Sequence, residues 1–321
     1  MSRLVLMLAI SLGSIVLGTA AQKVAIRTGL SIRSRLLAAS KLLKIISFFV
    51  LNPVAITSSF WKVRLASAHL VSLPLLGLLA ILTGGAGALL VIRLVRLPPE
   101  RAASVFVCGM FTNLVTFGGL FSFALFGELG YLLAQLYAMF NMAAYYTLGF
   151  PVSRNIARGI RNPLSLSTGA LRESPYLAIP LAAIVAGLVL RLTGLDRPDL
   201  LDRAVSVIIP LTTALLGVSI GLTLRIGNVR HYTREIALVM SIKFVLVPLI
   251  IIPLSCLLGL GRIMGGVPLK VAVVLAFMPV AFNALVPPAI YGFDLDLANS
   301  AWIATTASLA VILPLLYLVL V

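Results

Sequence analysis

Two stretches of the chain share one design, Cys108-Gly-Met-Phe-Thr-Asn113-Leu-Val-Thr-Phe-Gly118-Gly119 and Phe277-Met-Pro279-Val-Ala-Phe-Asn283-Ala-Leu-Val-Pro287-Pro288. Each lies in the middle of an apolar segment that is long enough to cross a bilayer, and each contains a cluster of helix-breaking residues. Clustered breakers at corresponding places in the two halves of a membrane protein indicate a substrate site near the bilayer midplane. The two stretches therefore predict an all-α integral membrane protein with a transporter's broken helices.

The composition supports a membrane location. Hydrophobic residues make up 61% of the chain, charged residues 11%, and the mean hydropathy is +1.14, whereas soluble domains are about 45–50% apolar. Apolar stretches near the ~20 residues that cross a bilayer as a helix recur along the chain, which predicts about ten spans. We place these spans at 4–22, 42–61, 68–92, 102–126, 129–150, 174–193, 204–224, 235–260, 267–291 and 297–320.

The net charge of +16 is explained by membrane topology rather than by nucleic-acid binding. The basic residues are scattered over short loops between spans, and the odd-numbered loops hold most of them. The densest run is Lys23, Arg27, Arg33, Arg35, Lys41 and Lys44. By the positive-inside rule the odd-numbered loops are cytoplasmic, so both termini of this multi-pass chain are predicted outside the cell (inner or plasma) membrane.

The first apolar run leaves an alternative open. Arg3, the apolar residues up to Leu17 and the small residues at 18–21 also fit a cleavable signal peptide. Its cleavage would leave about nine spans and remove the symmetry between the halves. We therefore expect the first span to be retained.

Matching motifs indicate an internal duplication. Asn52-Pro53 in span 2 corresponds to Ile209-Pro210 in span 7, and Phe126-Gly127-Glu128 after span 4 corresponds to Tyr291-Gly292-Phe-Asp294 after span 9. His69 with Pro74 corresponds to Lys243 with Pro248. Because an odd number of spans per repeat forces opposite orientations, the sequence predicts two inverted five-helix repeats, 1–150 and 174–321, joined by a cytoplasmic loop at 151–173.

These residues resemble the auxin efflux carrier family, a relative of the bile acid:sodium symporters. Asn113-x4-Gly118 with Phe126-Gly127-Glu128-x-Gly130 is similar to the family's pattern in span 4, and Asn141-x4-Tyr146-Thr147-x-Gly149 to its pattern in span 5. The second half matches in Pro210 with Gly217 and Gly221, Lys243-x4-Pro248, Met278-Pro279-Val-Ala281, Tyr291-Gly292-x-Asp294, and Thr305-Thr306 with Pro314. The short loop at 151–173 indicates a prokaryotic-type member.

The resemblance implies that the helices form two domains with different roles. Spans 3–5 and 8–10 would form a transport domain around crossed, broken helices 4 and 9, and spans 1, 2, 6 and 7 a scaffold. Relatives export organic carboxylates and often dimerise, so a homodimer is an open alternative. This chain departs from the family pattern at Leu120, where the family has a proline, so we expect Gly118 and Gly119 alone to unwind span 4.

Candidate site residues follow from the charges and the helix breaks. No Asp or Glu lies in the middle of a predicted span, whereas Lys243 does. A lysine at the bilayer centre costs about 2.5–3.5 kcal/mol on insertion scales, so it supports an anion site, snorkels to the surface or hydrogen-bonds within the fold. Half-helix ends attract anions through free N–H groups. The predicted substrate-binding residues are Asn113, Gly118, Gly119, Pro279, Asn283, Lys243, Asn52, Asn141 and Thr306, and packing roles for the asparagines and the threonine stay open.

The sequence lacks the residues that other classes of function require. No nucleophile with a base, paired intramembrane carboxylates or metal-ligand cluster is present, so no enzyme, metal site or cofactor is expected. Without a GxxxxGK[ST] motif, ATP-driven pumping by this chain is unsupported. The prediction is a secondary transporter that moves an organic anion through the lipid bilayer by alternating access, with H⁺ or Na⁺ as coupling ion left open. The alternatives are a sodium-coupled bile-acid-like symporter and a channel.

Overall fold

Helices make up 88% of the computed structural model, which describes residues 2–28, 30–62, 68–160, 164, 178–224 and 229–321. No named β-strand occurs among these residues, where a single antiparallel bridge is found. Within these residues, seven helices are long and apolar enough to cross a membrane. The protein is therefore an all-α membrane protein, and the long Val, Leu and Ile runs explain it because each backbone polar group in lipid must be bonded within its own helix.

The first of two compact units contains residues 1–66, 115–135 and 178–224. Its helices are α1 (Ser2–Thr28), α2 (Leu30–Ile46), α3 (Asn52–Lys62), α6 (Gly119–Tyr137, of which the last two residues belong to the second unit), α9 (Ala178–Leu192) and α10 (Asp199–Gly221). Helices α1 and α10 approach closely because both carry glycine at the contact. A Cβ atom added to Gly18 would lie 2.3 Å from the Val218 carbonyl oxygen, and one at Gly221 would lie 2.3 Å from that of Ile15.

The second unit contains residues 67–114, 136–177 and 225–321. Its helices are α4 (Ser72–Val95), α5 (Pro99–Met110), α7 (Asn141–Ala144), α8 (Phe150–Ala157), α11 (Thr233–Ser241), α12 (Val247–Leu257), α13 (Val267–Ala276), α14 (Val286–Tyr291), α15 (Leu295–Ala307) and α16 (Leu309–Leu320). A Cβ at Gly84 of α4 would lie 2.3 Å from the Gly109 carbonyl oxygen of α5. The glycine run 84–87 thus serves close helix packing.

Short segments of other helix types join several of these helices. In the described part of the chain, four are π-helical, at Ser47–Leu51, Leu114–Gly118, Tyr145–Gly149 and Ile242–Leu246, and five are 3₁₀-helical, at Ala68–Val71, Val229–Tyr232, Leu260–Arg262, Met264–Gly266 and Phe282–Leu285. Such π-helical turns inside longer helices are frequently found at functional sites. Here one of them carries Lys243 and another begins directly after Asn113.

The seven long helices correspond to most of the ten predicted spans. The segment Leu114–Ala157 merges part of predicted span 4 with span 5, although Gly127 inside it has non-helical angles of φ 65° and ψ −153°. Span 9 is split into α13 and α14, and the start of span 6, residues 174–177, lies outside the described residues. The number ten therefore stays a prediction. The start of the connecting loop differs from the prediction, because α8 occupies Phe150–Ala157, where the loop was expected to begin at residue 151.

The helix breaks exist, but the first is not at the glycines. Helix α5 ends at Met110, and Phe111 has extended angles of φ −85° and ψ 118°. Gly118 closes a π-helical turn and Gly119 is the first residue of α6. The expectation that Gly118 and Gly119 unwind span 4 is wrong, because the backbone leaves the helix at residues 111–113, where other groups hold its polar atoms.

Candidate functional site

Two interrupted helices meet in the second unit. The chain after α5 and the chain after α13 pair as a minimal antiparallel ladder around Thr112 and Val280. The Asn113 N–H donates to the Pro279 carbonyl at 2.9 Å, and the Ala281 N–H donates to the Phe111 carbonyl at 2.9 Å. Each broken helix therefore satisfies backbone groups of the other, as burial in an apolar environment requires.

Side-chain hydroxyls hold the middle of each break. The Thr112 N–H donates to Tyr145 Oη at 2.6 Å, and the Tyr145 hydroxyl donates to the Thr112 carbonyl at 2.9 Å. In the other break, the Val280 N–H donates to Thr305 Oγ1 at 3.3 Å. The Phe111 ring stacks on Tyr145 with ring centroids 3.9 Å apart, which fixes the tyrosine in this position.

Lys243 reaches this crossing from the π-helical turn at Ile242–Leu246. Its Nζ donates to Thr112 Oγ1 at 2.6 Å, and the residue is only 1% exposed. Among the described residues it takes part in no ion pair, since every ion pair found there involves Lys62, Arg101 or Arg197. The snorkelling alternative is therefore wrong for this structure, because the lysine is directed to the interior of its unit.

The other predicted residues of the second unit occupy three places. Asn113 and Pro279 lie at the crossing itself and are buried. Asn283 is partly exposed, and its amide lies 3.5 Å from Met142 Sδ, next to Asn141 in sequence. Asn141 and Thr306 are buried, and neither Asn141 Oδ1 nor Thr306 Oγ1 has a hydrogen-bond partner. Buried polar atoms without partners are places where a ligand or water supplies the missing bond.

The remaining three predicted residues belong to the first unit. Asn52 begins α3, is buried, and accepts a hydrogen bond of 2.9 Å from the Tyr131 hydroxyl through Oδ1. It lines a small pocket, with room for about one water molecule, together with Thr116, Thr212 and Thr213. Gly118 and Gly119 are buried, and a Cβ at Gly119 would lie 2.9 Å from Gln135 Nε2. Gly119 therefore serves packing, and neither glycine unwinds the helix, because Gly118 closes a π-helical turn.

Each unit also carries an ion-pair cluster at helix ends. In the second unit, Arg101 pairs with Glu235 at 3.2 Å and with Asp294 at 3.5 Å. In the first unit, the Arg197 side chain is 3% exposed and binds both Glu128 and Asp202. The Arg197 guanidinium also donates to the Ser58 carbonyl at 3.0 Å, so it joins three segments of that unit.

Sequence reasoning missed the residues that organise the crossing, namely Thr112, Tyr145 and Thr305. Tyr145 does belong to a polar stripe at Tyr137, Asn141 and Tyr145, and Thr305 adjoins the predicted Thr306. The periodicity of such stripes signals one polar helix face. It does not reveal which hydroxyl caps a break, since that depends on the path of a segment distant in sequence.

No protein-family model matches this chain, and no curated protein matches its sequence.

Proposed function

We propose that this protein is a secondary transporter that moves a small organic anion of the carboxylate type across the cell membrane by alternating access, as a prokaryotic-type member of the auxin efflux carrier family. The observation that carries the proposal is the crossing of two interrupted helices at Thr112 and Val280, with a buried cation, Lys243, hydrogen-bonded to it. Irregular backbone at membrane depth is tolerated where it is buried in protein or lines a cavity, and in transporters it marks the substrate site.

The two breaks are hydrogen-bonded in a similar way, which supports an inverted repeat. In each half, the middle N–H of the break donates to a hydroxyl that follows it in the chain, Tyr145 for Thr112 and Thr305 for Val280. The two segments pair antiparallel, as a two-fold axis between repeats requires. Ten spans, both termini outside the cell and a possible dimer belong to the same proposal.

The grouping of the helices supports a two-part mechanism. Residues 1–66 and 178–224 form most of one unit, and residues 67–114 and 225–321 form most of the other. The expected division is a scaffold of spans 1, 2, 6 and 7 and a transport domain of spans 3–5 and 8–10, and the grouping agrees with it for the scaffold and for spans 3 and 8–10 but not for the parts of spans 4 and 5 at 115–135. Residues 115–135 group with the first of these units.

The chemistry available to an anion consists of neutral donors and one lysine. Asn113 precedes the helical segment that continues through Leu114–Gly118 into α6, so it lies at the positive end of that half-helix. Asn283 is partly exposed and therefore open to a ligand. A carboxylate held by amide N–H groups needs no paired arginine, and Lys243 adds attraction through space.

The test uses purified protein in detergent and in proteoliposomes. Thermal unfolding would be measured with a panel of small carboxylates, dicarboxylates, aromatic acids and bile-acid-like amphiphiles, each compared with its uncharged amide. Stabilisation by an acid but not by its amide, followed by saturable uptake and counterflow of that acid, is expected. Flux that rises linearly with voltage and does not saturate would instead indicate a channel, and no stabilisation by any acid would contradict the anion assignment.

A further inference from the structure

Charged residues of the first unit are distributed unevenly along α10. Asp199 and Asp202 lie in the first turn of this helix, and Asp196 lies shortly before it. Arg197 joins the remaining described acid of the unit, Glu128, to Asp202. Helix α10 has 23 residues, so its carboxyl end is roughly 33 Å away from these acids.

Both α1 and α2 contact the last turn of α10. A Cβ atom added to Gly18 of α1 would lie 2.9 Å from the Gly221 Cα. The Ser40 hydroxyl of α2 donates to the Ser219 carbonyl at 3.0 Å, and the Ser219 hydroxyl donates to the Ser40 carbonyl at 2.9 Å. Gly18 and Ser40 are therefore level with the carboxyl end of α10.

Helix α1 continues beyond this level. A Cβ atom at Gly217 would lie 3.0 Å from the Ser14 Cβ, one helical turn before the contact at Gly18, so α1 and α10 run in the same direction. Helix α1 extends to Thr28. At 1.5 Å per residue, Lys23 and Arg27 lie roughly 7 and 13 Å past Gly18 along the helix axis.

Helix α2 returns from the end of α1 to the same level. It begins at Leu30 and reaches α10 at Ser40, so Arg35 lies roughly 7 Å beyond the contact and Lys41 lies next to it. The apolar helical segment Ser34–Lys62 has 29 residues and is roughly 43 Å long. Because this exceeds the ~30 Å hydrocarbon core, its ends lie among the lipid headgroups.

The four cations at this end of the unit are exposed and belong to none of the ion pairs in the described chain. The sequence contains no Asp or Glu before Glu100, so no neighbouring acid neutralises them. Leu37 and Ile45, which share a helix face with Lys41, are exposed as well. Cations beside exposed apolar side chains at a membrane boundary fit a lipid, whose phosphate they attract and whose acyl chain they contact.

We propose that Lys23, Arg27, Arg35 and Lys41 form a surface, here called the basic surface, that binds the phosphate headgroups of anionic membrane lipids. The acyl chains of these lipids pack against the exposed apolar face of α2. By the positive-inside rule the basic surface belongs to the cytoplasmic leaflet, where anionic lipids attract basic segments.

The test measures thermal unfolding of the purified chain in a neutral detergent with increasing phosphatidylglycerol, or with phosphatidylcholine of the same acyl chains. For the wild type we expect phosphatidylglycerol to raise the midpoint in a saturable way, by roughly 5 °C, and phosphatidylcholine to raise it much less. One variant combines Lys23→Gln, Arg27→Gln, Arg35→Gln and Lys41→Gln. It should keep the midpoint without lipid, because these side chains are exposed, and need about tenfold more phosphatidylglycerol for half of the effect.

The matched control changes four exposed arginines of the second unit to glutamine, namely Arg93, Arg158, Arg230 and Arg234. It removes the same charge from loops that are predicted on the same side of the membrane. It should therefore respond to phosphatidylglycerol like the wild type. Equal losses in the two variants would indicate a general attraction between a basic protein and anionic lipid, and would overturn the assignment.

The remaining outcomes are also decisive. A basic-surface variant that responds like the wild type would overturn the proposal, as would equal stabilisation by glycerol phosphate, which has the phosphate without the acyl chains. If the combined variant gives no folded protein, the pairs Lys23 with Arg27 and Arg35 with Lys41 are changed separately. Each pair should then lose part of the response, and no loss in either pair would contradict the proposal. Because the measurements use no transported substrate, they are independent of the proposed transport function.

Discussion

At the scale of single residues, the Tyr145 hydroxyl makes two hydrogen bonds to the backbone of Thr112. It accepts from the Thr112 N–H and donates to the Thr112 carbonyl, so one side chain satisfies both backbone groups of a residue outside any helix. Thr305 satisfies only the Val280 N–H, and over a longer distance of 3.3 Å. The two breaks are thus held by contacts at corresponding positions, but the break at Thr112 has two hydrogen bonds to its hydroxyl partner and the break at Val280 has one longer bond.

This inequality predicts the effects of removing each hydroxyl. Tyr145→Phe leaves the buried Thr112 N–H unpaired, at about 1–3 kcal/mol, and removes one of two bonds to the Thr112 carbonyl, which still accepts from the Leu114 N–H at 2.9 Å. Thr305→Val removes one longer bond and should cost less. We expect a larger loss of thermal stability for Tyr145→Phe, with Tyr291→Phe, an exposed tyrosine of the same unit, as the control. Equal stability of Tyr145→Phe and wild type would contradict the capping role.

Asn113 allows binding to be separated from folding. Its backbone N–H donates to the Pro279 carbonyl, and this bond survives truncation of the side chain. We expect Asn113→Ala to abolish saturable uptake in proteoliposomes while the protein keeps its yield and its elution volume. Uptake kinetics like those of the wild type would show that the Asn113 amide does not bind substrate.

At the scale of helices, the sequence predicted which helices break but not where the first one does. Proline has no N–H, so Pro279 interrupts the helix after α13 near its own position. Span 4 has no proline at the break, and glycine permits a break without requiring it. The helix is instead interrupted where the Thr112 N–H donates to the Tyr145 hydroxyl and the Asn113 N–H donates to the Pro279 carbonyl. No local sequence pattern contains these contacts.

The glycines of span 4 can be tested directly. Since Gly119 already lies in α6, Gly119→Ala should leave the break at 111–113 unchanged. The new methyl group meets the end of the flexible Gln135 side chain at 2.9 Å, so we expect a loss of about 1 kcal/mol in unfolding free energy from tighter packing. A loss of transport without a loss of stability would instead indicate that Gly119 lines the substrate path.

The cluster around Arg197 ties helical segments of the first unit together. Arg197 binds Glu128, which follows the non-helical Gly127, and Asp202 in the first turn of α10. Arg197→Met removes the buried guanidinium, while Asp202 keeps its contact with Lys62 at 2.8 Å and Glu128 keeps one at 3.9 Å, so the variant should cost about 1–3 kcal/mol. Lys62 contacts Asp202 at 2.8 Å but is 48% exposed, so Lys62→Gln should change stability by about 0–1 kcal/mol. Denaturation of the two variants side by side measures the difference, and similar losses would contradict it.

At the scale of the whole molecule, Lys243 is separate from the ion-pair clusters of the described residues. Glu235 lies in the first turn of α11, Asp294 caps α15, and Glu128 follows the non-helical Gly127 inside α6. Lys243 lies inside a long apolar helical segment and takes part in no ion pair of the described chain. The sequence predicted this distribution because charge and span boundaries are both local properties. It could not predict the partner of Lys243, since Thr112 is 131 residues away.

The distribution predicts how the protein responds to the loss of its deep cation. If the substrate is an anion, Lys243→Gln should weaken its binding more than Lys243→Arg, which keeps the charge. At an effective dielectric constant near 20, losing an opposite charge is worth about 4 kcal/mol at ~4 Å but only about 1–2 kcal/mol at ~10 Å. Because Nζ is buried and bonded to Thr112, we expect the smaller value, a roughly tenfold loss of affinity.

Calorimetry or competition binding with the stabilising acid measures this loss, with Lys270→Gln as the matched control. A loss near a thousandfold, the equivalent of about 4 kcal/mol, would place the ammonium in contact with the ligand and make Thr112 its partner only in the empty state. Unchanged affinity in Lys243→Gln would remove the lysine from anion binding. The neutral donors at Asn113 and Asn283 would then carry the charge of the substrate together with the half-helix ends, and the proposed function would rest on the crossing alone.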